Sequence, residues 1–506
     1  MRNRASNLKS FAALSAFSLL EKVVAFIYQM ILAAVLGSGI ATDCYYSASQ
    51  LFDLIDTTVL GALVVAVINR FANICAEKDE NAGFVFLSRL NSILSIIMVV
   101  LAVVTFVCAR SVSYLIAPGF EEIERTELVN CIRIMCVIPP VMVIVTLAQG
   151  LLRQKKCFII VSSRSLFISF CGMAVVLLFS VKDPTNSRLL CYGYVAANLL
   201  FSVLLLIRSR QFGKITYKKP AFDEDIRKML LMSVPAIVSK GIVRISLMVD
   251  QIISSTLGQG AVSYLTYAQS LYHIVSNLLI VNLCTIMLTD LTNLCVKKKY
   301  DDMMKKLRSS ILSILLILAP VSLLTVCFSK EIVTIAYQRG AFGEESTKMV
   351  ATLLFFYAFG FISSMFNSLY TQVLHAFGKM NIAMRNSVVS ISLNIAISIV
   401  ASHFVGIAGI AIGTTISASV GVLLYRRSVQ KCLQNYKPVL DGNFIFKLLG
   451  GLAGCGAVIA AVKLLIKSAI LSFATATVLG FAVFAAVLLL LREETLMGYV
   501  KKIRKA

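Results

Sequence analysis

Long apolar runs, each able to cross a bilayer, follow one another from one end of this 506-residue chain to the other. Inside a bilayer every backbone polar group must be satisfied within its own segment, so such runs form helices of roughly 20 to 25 residues. The runs fall near 11–36, 44–69, 84–109, 129–151, 157–181, 188–207, 229–257, 264–291, 310–329, 348–376, 383–403, 405–425, 444–467 and 470–491. The connections between them are too short for a sizeable soluble domain. The expected fold is therefore an all-α polytopic membrane protein of about fourteen transmembrane helices. Composition agrees, with 58% hydrophobic and only 14% charged residues. The first run follows Arg2, Arg4 and Lys9, as in a signal peptide, but it is too long and lacks a small-residue cleavage site, so it reads as a retained span. The 13 cysteines are scattered singly with no C-x-x-C pair, which predicts neither a disulfide framework nor a zinc site.

A net charge of +23 suggests a nucleic-acid partner only until the basic residues are located. They lie between the apolar runs and on alternate connections, where they act as topology signals. With the N-terminus inside, the inner connections hold Arg153, Lys155 and Lys156, seven Lys/Arg in 208–228, Lys297 to Lys299 with Lys305, Lys306 and Arg308, and Arg426 with Arg427. The tail adds Arg492, Lys501, Lys502, Arg504 and Lys505, whereas Gly37 to Asp43 and Gly258 to Ser263 carry no Lys or Arg. Both termini are expected in the cytoplasm, with the chain in the cytoplasmic membrane.

Two landmarks repeat in register. Val35-Leu36-Gly37-Ser38-Gly39, followed by Tyr45 and Tyr46, returns as Thr256-Leu257-Gly258-Gln259-Gly260, followed by Tyr264 and Tyr267. Leu115 to Glu122 returns as Gln338 to Glu345 at nearly the same offset. Six spans lie within each repeat, so the halves share one membrane orientation and their pseudo-axis runs along the bilayer normal. This predicts an N-terminal lobe over 1–220 (helices 1–6), a C-terminal lobe over 221–430 (helices 7–12), and helices 13 and 14 with a basic tail over 431–506.

The chain has no G-x-x-x-x-G-K-[ST] phosphate loop and no dinucleotide fingerprint, so nucleotide hydrolysis is excluded as its energy source. His273, His375 and His403 lie in separate spans without metal-ligand spacing, and Gly450, Gly451, Gly454 and Gly456 read as helix packing. What remains is a set of ionisable residues inside apolar runs, each costing at least about 2.5 kcal/mol at the bilayer centre unless it faces a cavity or a partner. Glu21, Lys22 and Arg164 either snorkel to an interface or face a cavity, and Arg133 stands alone in span 4. Asp53 and Asp56, three apart, either pair with Lys22 or another cation or line a cavity wall. Lys240 and Arg244, four apart, stack on one helical face and offer two adjacent cations to a diphosphate or similar anionic headgroup. Asp250 lies further along the same span, off that face.

Several stretches resemble, in order, the MurJ (MviN) lipid II flippases of the multidrug/oligosaccharidyl-lipid/polysaccharide exporter superfamily. Leu36-Gly37-Ser38-Gly39-Ile40-Ala41-Thr42-Asp43 resembles that family's first outer turn, Ala117-Pro118-Gly119-Phe120 its A-P-G-F, and Arg339-Gly340-Ala341-Phe342 its R-G-A-F. Pro235-Ala236-Ile237 through Val249-Asp250, then Ser263, Tyr267 and Ala268, resemble its seventh and eighth spans. The resemblance covers about residues 8–430. It implies two six-helix lobes around a central cavity, with helices 13 and 14 forming a groove suited to a polyprenyl tail. It also implies alternating-access translocation of a polyprenyl-diphosphate-linked glycan, lipid II foremost, driven by membrane potential or an ion gradient. Lys22 matches a basic position of the family's helix 1 and Asp43 its outer acid. Three cavity arginines of the family read Tyr28, Asp56 and Ser270 here, which shifts anion binding onto Lys22, Lys240 and Arg244. The family's sodium site resembles Asp250, Asn394 and Thr414, with Ser398 in place of a second acid, so sodium or a proton is the expected coupling ion and no other cofactor is implied.

The rivals are a flippase for another lipid-linked oligosaccharide of capsule, exopolysaccharide or O-antigen type, a drug/cation antiporter of the same superfamily, and a non-transporting scaffold for envelope-synthesis enzymes. Lys240 and Arg244 argue against cation cargo. A membrane-embedded glycosyltransferase lacks the large polar loop with catalytic carboxylates that it would need.

Overall fold

The computed structural model describes residues 2–155, 157–179, 187–433, 440–493 and 496–497, with side chains described from Phe17 onward except at 281–283, 285, 286 and 289. Lys156 and the basic tail from Lys501 lie outside the described residues. Among the described residues the chain is helical and without strands. Twelve helices are long and apolar enough to cross a membrane. They are α1 (Arg2–Leu36), α2 (Ile40–Glu77), α3 (Glu80–Val107), α4 (Glu122–Gln154), α6 (Ser187–Ser209), α7 (Glu224–Ser255), α9 (Tyr300–Cys327), α10 (Glu344–Ala376), α11 (Met380–Val405), α12 (Ala408–Cys432), α13 (Gly442–Leu465) and α14 (Ala469–Leu490).

The fifth and eighth spans are also helical but interrupted. In α5, Phe158–Ser162 gives way to Arg164–Leu178 at Ser163, whose hydroxyl donates to the Ile160 carbonyl at 2.9 Å and closes the short first helix. In α8, Ala261–Ser276 runs through a π-helical turn, Asn277–Val281, into Asn282–Val296. A π turn also interrupts α2, at Asp56–Leu60. The two π turns sit 221 residues apart, so the repeat seen in the outer turns extends to a backbone irregularity. The short helices Ala109–Ile116 and Ser329–Tyr337 occupy corresponding places after α3 and α9.

The chain divides by packing into two compact units: Met1–Ser263 with Arg339–Phe342, and Tyr264–Gln338 with Gly343–Ala506. Helix α7 packs within the first unit, against α2 and α3. Both glycine motifs act there as close-approach points. A Cβ on Gly119 would fall into the backbone of Ser255 and Thr256 at the end of α7. Gly340, with φ of 56°, sits so close to the Ala34 carbonyl near the end of α1 that a side chain has no room, and the Ala341 N–H donates to that carbonyl at 2.8 Å. Only glycine meets both demands at 340 without strain.

Within the second unit, α13 and α14 interlock through small residues. Gly451 and Gly454 lie against Phe484 and Val483, and Gly480 lies against Cys455, as expected for lipid-embedded helices that gain from close approach. Gly456 differs from the other three glycines of its cluster, because its missing side chain faces open space. On α3, Val99, Val100, Val103, Val104 and Val107 are exposed, a surface suited to lipid rather than water.

Candidate cationic site in the first unit

Asp53 and Asp56 stand one turn apart at the start of the π turn of α2. Such turns insert an extra residue, re-aim side chains and recur at functional sites. The Tyr194 hydroxyl of α6 donates to Asp53 at 2.9 Å. Asp56 pairs with the Arg164 guanidinium, which opens the second half of α5. The two side chains of this pair are only 16% and 21% exposed. Arg164 also donates through Nε to the Asn198 side-chain oxygen at 3.0 Å, and Asn198 donates its amide to the Tyr194 carbonyl at 2.8 Å. The result is a closed network of Asp53, Tyr194, Asn198, Arg164 and Asp56 joining three helices.

Helix α7 brings its cations to the same place. Lys240 donates to the Gly61 carbonyl at 2.9 Å, just beyond the π turn, and feels the charges of Arg153 and Asp56. Arg244, one turn further on, lies within electrostatic range of Asp53. Two carboxylates thus share three cations, Arg164, Lys240 and Arg244, with Arg153 beside Lys240, so this group carries surplus positive charge. The carboxylates hold Arg164 in place while Lys240 keeps an exposed side chain. A cationic group of this kind, preorganised by internal acids, suits a phosphate-bearing ligand.

The alternatives left open by the sequence resolve at this level. Asp56 pairs with another bundle cation, Arg164, and Asp53 takes the Tyr194 hydroxyl, while Lys22 is exposed on α1 outside the network. Arg164 points into the unit instead of snorkelling. Asp43 was expected in the cavity, but it is fully buried and accepts from the backbone N–H of Gly260 at 2.6 Å and of Ser263 at 2.8 Å, and from the Ser263 hydroxyl. In this conformation it caps the start of α8 and cannot touch a ligand. Thr42 and Ser263, equivalent positions of the two repeats, lie with their hydroxyls 2.7 Å apart beside it.

Tyr28, which stands where the family has an arginine, is buried and shares a 3.5 Å contact with the Tyr45 hydroxyl. Ser270 turns its hydroxyl back onto the Thr266 carbonyl at 2.9 Å. Asp250 is 3% exposed and belongs to the first unit. Asn394 and Thr414 belong to the second, where the Asn394 amide donates to Thr414 at 3.1 Å. Ser398, one turn beyond Asn394, is fully buried with a hydroxyl that lacks a protein partner, so this corner of α11 and α12 has spare oxygen donors. Sequence reasoning missed Tyr194, Asn198 and Arg153. The four-residue spacing of Tyr194 and Asn198 within an apolar span was the available signal for the first two.

The family model and the sequence relatives point to one family. A family model described as "Lipid II flippase MurJ" matches residues 32–487. A probable lipid II flippase MurJ of Rhizobium tropici is 23% identical over 437 residues, covering 83% of this chain and 81% of the relative. One from Buchnera aphidicola subsp. Schizaphis graminum (strain Sg) is 23% identical over 451 residues, covering 87% of each. Among solved structures, a lipid II flippase MurJ in an inward closed conformation superposes with a TM-score of 0.80 at 18% identity, covering 97% of this chain and 100% of that one. An inward-facing multidrug resistance MATE family transporter of the MOP superfamily reaches 0.68 at 12% identity, covering 82% and 96%.

Proposed function

The chain belongs to the lipid II flippase MurJ family, and from that premise we propose that it translocates lipid II, a polyprenyl-diphosphate-linked cell-envelope precursor, across the cytoplasmic membrane by alternating access. The family match over residues 32–487 carries this reading. The cationic network of α2, α5, α6 and α7 supplies its chemistry. Lys240 and Arg244 engage the diphosphate, Arg164 adds a third cation, and Asp53 and Asp56 fix that cation in position. Arg164 thereby returns a guanidinium to the neighbourhood where Asp56 replaces one. The polyprenyl tail stays in lipid while the headgroup crosses.

Both termini lie in the cytoplasm in this reading. An inside-negative potential then favours outward movement of an anionic headgroup by about 2.3 kcal/mol per charge per 100 mV. Sodium or a proton resets the carrier in this reading, and the family resemblance offers it the oxygens of Asp250 in the first unit and, separately, those of Asn394 and Thr414 in the second. The protein acts as a transporter and makes or breaks no covalent bond in its cargo.

A second reading, a flippase for another lipid-linked oligosaccharide, draws on the replacement of three family arginines by Tyr28, Asp56 and Ser270. Purified protein in vesicles separates the two. Fluorescent lipid II should become accessible to an external reagent at a rate that rises with protein content. Transport of another polyprenyl-linked glycan with no transport of lipid II would make the second reading the better one.

A further inference from the structure

A pocket of about 340 Å³ lies in the second unit where α13 ends and α14 begins, walled on its other side by the short helix Ser329–Tyr337. Lys330, Lys463 and Lys467 line it with one acid, Glu331, together with Thr334 and Ser472. Lys463 is anchored by an ion pair to Glu331 at 2.9 Å, by donation to the Cys327 carbonyl, and by the Phe328 ring 4.5 Å from its ammonium. Lys330 reaches Glu344 at 3.1 Å from an exposed position. Lys467 stands exposed and makes no ion pair among the described residues. The first turn of α14 opens onto the same pocket, and its N-cap, Ser468, makes no side-chain capping bond.

Two features say what kind of ligand fits. The α13–α14 connection, with Lys467 and the nearby Lys463, and the helix Ser329–Tyr337, with Lys330, both fall on the side that the charge pattern otherwise keeps poor in lysine, so topology does not account for the three lysines of this pocket. The pocket is also flanked by Leu464, Leu465, Ile470 and Leu471, all between 60% and 84% exposed. Such side chains belong among acyl chains, which sets the lysines at headgroup depth.

We propose that this pocket binds the phosphate of a lipid headgroup in the outer leaflet, at a site separate from the cationic network of the first unit. Lys467 and Lys330 contact the phosphate, and the open first turn of α14 adds N–H donors. Lys463 shapes the pocket through its fixed position. The phosphate comes either from an anionic phospholipid or from a polyprenyl diphosphate.

The test uses the full chain in phosphatidylcholine nanodiscs doped with phosphatidylglycerol, and counts lipids retained in native mass spectrometry. Lys330→Gln/Lys467→Gln should lower phosphatidylglycerol retention about thirtyfold, since each of the two lysines near the membrane surface contributes about 1 kcal/mol. Lys297→Gln/Lys298→Gln, on an inner connection, should change nothing. Repeating the series with polyprenyl diphosphate in place of phosphatidylglycerol identifies the source. Lysine dependence with either lipid supports the site and names its ligand, whereas equal retention by parent and variant with both lipids overturns it. Lys467→Gln alone guards against misfolding, because Lys467 makes no side-chain hydrogen bond or ion pair among the described residues, and it should give an intermediate loss.

Discussion

Arg164 and Asp56 hold each other in a place where neither is easily solvated, which makes the pair sensitive to losing one member. Arg164→Ala leaves the Asp56 carboxylate half-buried without its cation and should destabilise the detergent-solubilised protein by about 3 kcal/mol. Removing both charges in Arg164→Ala/Asp56→Ala should cost less than Arg164→Ala alone, and a double-mutant cycle on thermal unfolding measures the coupling. Additive losses would mean that the pair is not coupled. Asp43→Asn replaces a charged acceptor with an amide whose NH2 faces donors. A loss of about 2 kcal/mol in stability is expected, with transport per folded molecule kept. Sequence could mark these residues as costly in an apolar span, yet it could not assign partners. Asp56 and Arg164 are separated by 108 residues and Asp43 and Ser263 by 220. No local pattern tells a carboxylate that caps a helix from one that faces a cavity.

At the scale of elements, apolar length located the spans well because burial in lipid is a property of whole runs, to which hydropathy responds directly. The interruptions escaped for the same reason. Neither the break at Ser163 nor the π turns at Asp56–Leu60 and Asn277–Val281 changes the hydropathy of its run. They change hydrogen-bond register alone. The glycine motifs were visible as repeats, but their purpose rests on contacts with distant helix ends. Gly340→Ala combines a left-handed backbone with a backbone clash, so it should lower thermal stability by more than the roughly 1 to 2 kcal/mol of the conformational term. Gly119→Ala meets the clash without the positive φ and should lower it as well. Thermal melts of the two purified variants check this, and an unchanged midpoint for Gly340→Ala would contradict the close approach to Ala34.

For the whole molecule, the repeat is expressed as an exchange within the first unit. The loop carrying Gly119 meets the end of α7, and the loop carrying Gly340 meets the end of α1, which is the equivalent pairing 221 residues along. Orientation is a separate prediction. In a chain whose 13 native cysteines are replaced by serine, Lys467→Cys should react with a membrane-impermeant thiol reagent applied outside intact cells, and Lys298→Cys only after the membrane is opened. The reverse pattern would invert the topology and remove the outer-leaflet setting of the lysine pocket. The most direct test of the central claim is growth of cells depleted of their own lipid II flippase and supplied with this chain, beside a Lys240→Ala/Arg244→Ala variant of matched abundance. Rescue by the parent and failure of the variant is the predicted result. Failure of the well-expressed parent, or full rescue by the variant, would contradict lipid II translocation through the α7 cations.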